Sequence, residues 1–362
     1  MSDFAKNFLN EDWKAMPDAP RFYLCGFGKH PGWNDHLDDI GVITDSLIRA
    51  KVSIYGGIAH QVESAVWERG GPDKMTTGFD HVIHWRRMNE SLTGLMWSSS
   101  DGKGRSLYPM ITLAHCVGQA FDWQATEVLP VLEDVGKKCR ATKSSVSVVE
   151  YLNAAQESLR ARLAGQPRSP VIGSNVGVKD WAAFCSRAPE GLRRVLHHLR
   201  VNFAAFAPGS AAWRDTKKQA RAQSRGLRLP VIPGSSPAES LNVWLSFLAT
   251  QLDPAVPMLG LRPVNHSWLD VIVGEPTETD FVVLRTRPAA TAVVSEIPYE
   301  IGANLSAEEA KIMAALGRGE LPDVSALNGA TVEANRQAAS KWLAKSRLNF
   351  FSRFLRSTGS PF

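Results

Sequence analysis

Residues 22–36 begin as an apolar and aromatic run that breaks at Gly26, Gly28, Pro31 and Gly32. An apolar run of this length, bounded by glycine and proline, has the composition of a buried strand that exits into a tight loop. That loop then carries Asp35 and His36, followed at once by Asp38 and Asp39. A buried strand delivering polar residues to a constrained loop is a common way to build a site, and an equally common way to build a turn. The rest of the chain has to decide between the two.

At 362 residues the chain has room for one large domain or two moderate ones, with a substantial core. Hydrophobic residues make up 44% and charged residues 21%, an ordinary globular balance. The net charge of +5 is too mild to imply nucleic acid or a membrane. The four cysteines (Cys25, Cys116, Cys139 and Cys185) are scattered and form no CxxC pair, which reads as buried thiols in a reducing compartment. No apolar run approaches the roughly 20 residues of a membrane span, and the N-terminus lacks a signal pattern. The expected location is the cytoplasm.

Along the chain, Thr44 is placed to cap a helix whose apolar positions recur to Val66, with Gly56 and Gly57 as a candidate break. Gly70, Gly71 and Pro72 close it. Strands are expected over 81–85, 91–98 and 107–116, the last two as a hairpin around Asp101, Gly102, Lys103 and Gly104, with Pro109 near a strand start. Helical periodicity fills 122–164 and recurs around 181–184 and 190–206. The basic stretch 217–228 reads as a solvated helix face, and Ser236, Pro237 and Glu239 open a helix carrying Leu241, Trp244, Leu245, Leu248 and Leu252 inward. Strands return at 257–262, 268–273 and 281–285, and helices at 306–316 and 331–356. The economical architecture is α/β (α+β): one central mixed or antiparallel sheet flanked by helices. Residues 1–21 form an N-terminal segment, 22–300 the domain with a helical insertion at about 165–235, and 301–362 a C-terminal helical extension.

Several chemistries are testable against these residues. Gly26, Gly28 and Lys29 suggest a phosphate loop, but His30 and Pro31 follow the lysine where the motif needs a hydroxyl residue opening a helix. His30, Asp35, His36, Asp38 and Asp39 have the chemistry of metal ligands, without a distant histidine-rich partner. Ser98, Ser99, Ser100, Asp101 and His115 contain the residue types of a hydrolase triad, without a GxSxG elbow. Lys103 and Arg105 offer fixed cations on a glycine-rich turn. The C-terminal helix over 331–356 mixes basic and aromatic residues, a face for a membrane surface or an acidic partner or else one packed on the domain. No constellation converges on catalysis, metal or cofactor.

Two stretches together resemble the TagF/ImpM family, accessory proteins of bacterial type VI secretion. Gly26, Phe27, Gly28, Lys29 and Pro31, followed by Asn34 and Asp35, are similar to the family's N-terminal signature. Gly104 and Arg105, followed by Pro109 and Met110, resemble its second signature with one extra residue before the proline, and Asp101 lies in the preceding Ser/Asp loop. The resemblance covers 22–117; His30 stands where the family has an apolar residue, and 170–362 is longer than the family's remainder. It implies a non-catalytic cytoplasmic regulator acting by protein–protein contact, in pathways that include a forkhead-associated scaffold protein and a kinase/phosphatase pair. On that reading Gly28, Lys29, Pro31, Asp35, Asp101, Gly104, Arg105 and Pro109 form the interaction or structural signature, with no nucleic acid partner. The alternatives are a hydrolase or metal-dependent enzyme using the 28–39 loop, and a membrane or acidic-partner binder using the C-terminal helix.

Overall fold

The computed structural model describes residues 20–87, 90–164, 224–232, 234–253 and 255–296, with isolated positions beyond them. Expectations over 1–19, 167–193, 207–223, 297–310 and 319–362, including most of the basic stretch and the C-terminal helix, fall outside the described residues.

Eight strands form one antiparallel sheet: β1 (Arg21–Lys29), β2 (His36–Ile40), β3 (Asp80–Arg87), β4 (Glu90–Trp97), β5 (Met110–Val117), β6 (Arg225–Pro230), β7 (Met258–Pro263) and β8 (Trp268–Val273). Their order is β2-β1-β5-β4-β3-β7-β8-β6, so strands from both ends of the sequence share the sheet. The central strands read as continuous apolar runs because both faces are covered. In β1, Phe22 and Leu24 face one core, while Cys25 and Phe27 face the other.

On the second of these faces lies α1 (Asp45–Glu63), capped by Thr44, whose hydroxyl accepts from the Leu47 amide at 3.3 Å. Its buried Leu47, Ala50, Ile54 and Ile58 recur at helical spacing, each worth on the order of 1–3 kcal/mol of burial. The glycine pair does not break this helix. A Cβ on Gly57 would stand 2.3 Å from the ring of Phe281, so the glycine admits the neighbouring chain. A short α2 (Val66–Gly70) follows. The opposite face is covered by α3 (Leu129–Ala141), α4 (Ser145–Leu163) and α5 (Pro237–Gln251). The Ser236–Glu239 capping box forms as the sequence predicts, and Leu241, Trp244, Leu245, Leu248 and Leu252 are all buried. Before α3 a π turn (Gln124–Val128) brings Gln124 onto the sheet, where it bonds Ser91, Thr93 and the Gln119 carbonyl.

Four expectations need correction. Residues 36–40, read as a polar loop, form edge strand β2 with only Leu37 buried. Residues 225–230, assigned to a helical insertion and a solvated basic face, form edge strand β6 against β8. Residues 281–285, expected as a strand, are instead the end of a 3-10 helix (Glu278–Leu284) and its C-cap Arg285, because Thr277 and Asp280 close a capping box that starts a helical turn. Val146, placed on the apolar face of α4, is exposed, and burial there begins at Val148. No described helix is long and apolar enough to cross a membrane.

Candidate functional site

The two signature stretches meet at one end of the sheet. Strand β1 pairs antiparallel with β5, which sets Gly28 opposite Met110 and brings Lys29 to the mouth of the 98–109 loop. Gly28 has φ +118, and a Cβ there would stand 2.1 Å from the Pro109 carbonyl oxygen, so only glycine allows the strands to close at this point. The Lys29 amide donates to that same carbonyl at 3.1 Å. Pro109 is buried against the junction, and Pro31 lies in the turn whose residue Trp33 accepts from the Gly102 amide at 2.7 Å.

Within this junction four side chains form one ion-paired knot. Lys29 Nζ donates to Asp35 Oδ1 at 2.7 Å and to Asp101 Oδ2 at 2.9 Å. Arg105 Nε donates to Asp101 Oδ2 at 2.7 Å, and its Nη2 reaches the Asn34 carbonyl at 2.8 Å and Asp35 Oδ1 at 3.2 Å. The amides of Lys103 and Arg105 donate to Asp101 Oδ1 at 2.9 and 3.0 Å. Gly104 adopts φ +81 and donates to the Asp101 carbonyl, tightening the turn around that carboxylate. Two cations balance two carboxylates.

The knot has an inside and an outside. The Lys29 and Asp101 side chains are 5% and 0% exposed, whereas those of Asp35 and Arg105 are 71% and 52% exposed. Burial acts to raise the Asp101 carboxyl, but hydrogen bonds from Lys29, Arg105 and the turn amides outweigh it and hold the group far below the usual carboxylate range. The hydrogen bond from Lys29 is the main cause of the lowering at Asp35, with the charges of Lys29 and Arg105 adding to it. Lys29 and Asp101 therefore pin the two loops, and the outer pair faces solvent.

The histidines do not join this knot as a catalytic set. His30 is buried, with Nε2 donating to the Cys139 carbonyl at 2.9 Å and Nδ1 accepting from the Gly32 amide at 3.0 Å. Burial lowers its pKa, and both ring nitrogens are committed to backbone. His36 lies 3.3 Å from Asp35 Oδ1 and packs against Tyr55 and Tyr108. Asp38 accepts from Trp33 Nε1, and Asp39 pairs with Lys51. Among the described residues no group of three His, Cys, Asp or Glu side chains is placed to hold a metal ion. The serine–histidine set also fails to assemble. Ser98 bonds the backbone of Phe79, while His115 sits further along β5, opposite Tyr23, and bonds Thr44 Oγ1 at 3.0 Å and Glu90 Oε2 at 2.7 Å.

Two polar clusters have no counterpart in the sequence reading. The first joins Thr44, His115, Glu90 and Ser46, the last donating to Glu90 Oε1 at 2.7 Å. Burial works to raise the Glu90 carboxyl, and the bonds from His115 and Ser46 together with the charge of Arg87 bring it below its ordinary value. The second surrounds the ends of β3, β7 and β8 and includes His81 and His266. Isolated histidines in apolar runs carried no spacing that would have grouped either set. No protein-family model matches the chain, and no curated protein is similar to it in sequence.

Proposed function

We propose that the chain is a non-catalytic regulatory or adaptor protein of bacterial type VI secretion that works in the cytoplasm by protein–protein contact, with a forkhead-associated scaffold protein as its partner. One observation carries the reading: the two separate stretches that resemble the TagF/ImpM signatures close into a single knot whose outer members, Asp35 and Arg105, are exposed. A solvent-facing carboxylate and guanidinium held in fixed positions by a buried Lys29–Asp101 brace suit recognition of a polar partner surface. The arrangement also separates folding from binding. Lys29 and Asp101 serve the first, Asp35 the second, and Arg105 both, since its Nε also braces Asp101.

The test is co-purification of the full chain with the forkhead-associated scaffold of the same secretion system. Arg105→Glu and Asp35→Arg are expected to lose the partner while far-UV circular dichroism stays near wild type, with a lowered thermal midpoint in Arg105→Glu, which turns a carboxylate toward Asp101. Recovery of the scaffold by both variants at wild-type yield would refute the contact surface.

A further inference from the structure

A cavity of about 240 Å³ opens at the same end of the sheet as the knot, three strands away, where β3 begins, β7 ends and β8 starts. Its walls include His81, His266, Trp268, Thr286 and Arg287. His266 stacks on Trp268 with ring centroids 4.4 Å apart and planes 19° apart, forming one flat wall.

Beside the Asp80 carboxylate and the hydroxyls of Thr76, Thr77 and Thr286, this cavity is lined by several donors. Trp268 is 6% exposed, and its indole Nε1–H has no acceptor. The Asp80 amide donates to His81 Nδ1 at 3.3 Å, which places the His81 proton on Nε2. Arg287 uses Nε on the Met75 carbonyl and makes no ion pair among the described residues.

The acids nearby are already committed. Arg228 and Asp270 neutralise one another, and Asp80, on the cavity wall, pairs with Arg140 at 3.1 Å. An unsatisfied buried donor such as the Trp268 indole is costly. A group that accepts several hydrogen bonds and carries negative charge offsets that cost and pairs with the Arg287 guanidinium. Burial is the first cause of the lowered pKa of His81 and His266, and the neighbouring cations add to it, as expected of a site biased toward anions.

We propose that this cavity is a binding site for a small oxyanion, a carboxylate or phosphate group, received by the donors of His81, His266, Trp268 and Arg287. The inference is independent of the secretion role and of the Lys29 knot.

The full chain is titrated calorimetrically with sodium phosphate and, separately, with succinate, while indole N–H resonances are followed by NMR. The Trp268 resonance is identified by its loss in Trp268→Phe. Saturable binding of at least one anion, with a shift of that resonance, is expected. His266→Ala and Arg287→Ala, both at solvent-reachable positions, are expected to weaken binding by about tenfold each, the loss of one charge-assisted hydrogen bond. Phosphate preference assigns the site to phosphate esters, and succinate preference assigns it to organic acids. Absence of saturation by either anion at about 10 mM, weaker than any specific small-ligand site of this donor count, overturns the proposal. So does binding that both alanine variants leave unchanged.

Discussion

Among the described residues, two buried salt bridges hold this sheet, and they are built differently. Lys29–Asp101 ties two loops at the end of β1 and β5, and is continued outward by exposed partners and backbone amides. Arg228–Asp270 is a cross-strand pair within β6 and β8, with both side chains sealed and two 2.8 Å contacts. The guanidinium also reaches Thr291 and Thr286 and lies over the Trp268 ring. At Asp101 the surrounding donors win and the carboxyl falls; at Asp270 burial wins and the carboxyl rises despite Arg228. A salt bridge thus stabilises its charged form where amides and water share the load. Where the pair stands sealed in a sheet, desolvation consumes the attraction.

The largest effect that tests this contrast is at the sealed pair. Arg228→Met is expected to cost about 3–5 kcal/mol because it strands the Asp270 carboxylate. The double variant Arg228→Met/Asp270→Leu should recover most of that loss in chemical denaturation. A double variant as unstable as the single one would mean the pair contributes net stability and would erase the contrast. At the open pair, Lys29→Met is expected to cost less, about 2–3 kcal/mol, because Asp101 keeps Arg105 and two amides. A loss equal to that of Arg228→Met would show that the exposed partners share nothing.

The smallest effect is in the pH dependence, and its sign differs between the pairs. The Asp101 carboxyl is lower in the folded chain than the roughly 3.9 of an unfolded aspartate. Its stabilisation is therefore present above pH 4 and lost as pH falls below it. The Asp270 carboxyl is raised, so its contribution declines as pH climbs from about 4 through the folded value. Denaturation midpoints measured across the acid range should fall less steeply in Asp101→Asn than in wild type. The Arg228→Met/Asp270→Leu variant should instead fall more steeply, since it has lost the opposing contribution.

Local signals in the sequence were read correctly where neighbours decide the structure. The Ser236 box, the Thr44 cap and the 90–97/110–117 hairpin all rest on residues close in sequence. The failures lie where a distant partner decides. Arg228 looked like one more solvated cation because Asp270, 42 residues away, is what lets it sit inside a strand. Strand β2 looked like a loop because an edge strand needs to bury only Leu37. The run around Phe281 looked like a strand because its β-branched content outweighed the Thr277–Asp280 cap in the reading. For the site, spacing alone did not join Lys29 to Asp101, 72 residues on. The fold brings the two loops together, and the geometry separates bracing residues from exposed ones. The cavity was illegible because its donors come from segments separated by some two hundred residues.

The two outermost strands also govern how copies of this chain meet. An open sheet edge is a template onto which another backbone can add. Here β2 is five residues long, carries Asp38 and Asp39 and kinks against β1 through a register shift between Gly26 and Gly28. Two such edges brought together would set carboxylate against carboxylate across a bent strand. At the far side β6 ends in Pro230, which has no amide to donate, and begins with the exposed Arg225. Each rim of the sheet thus discourages templated growth.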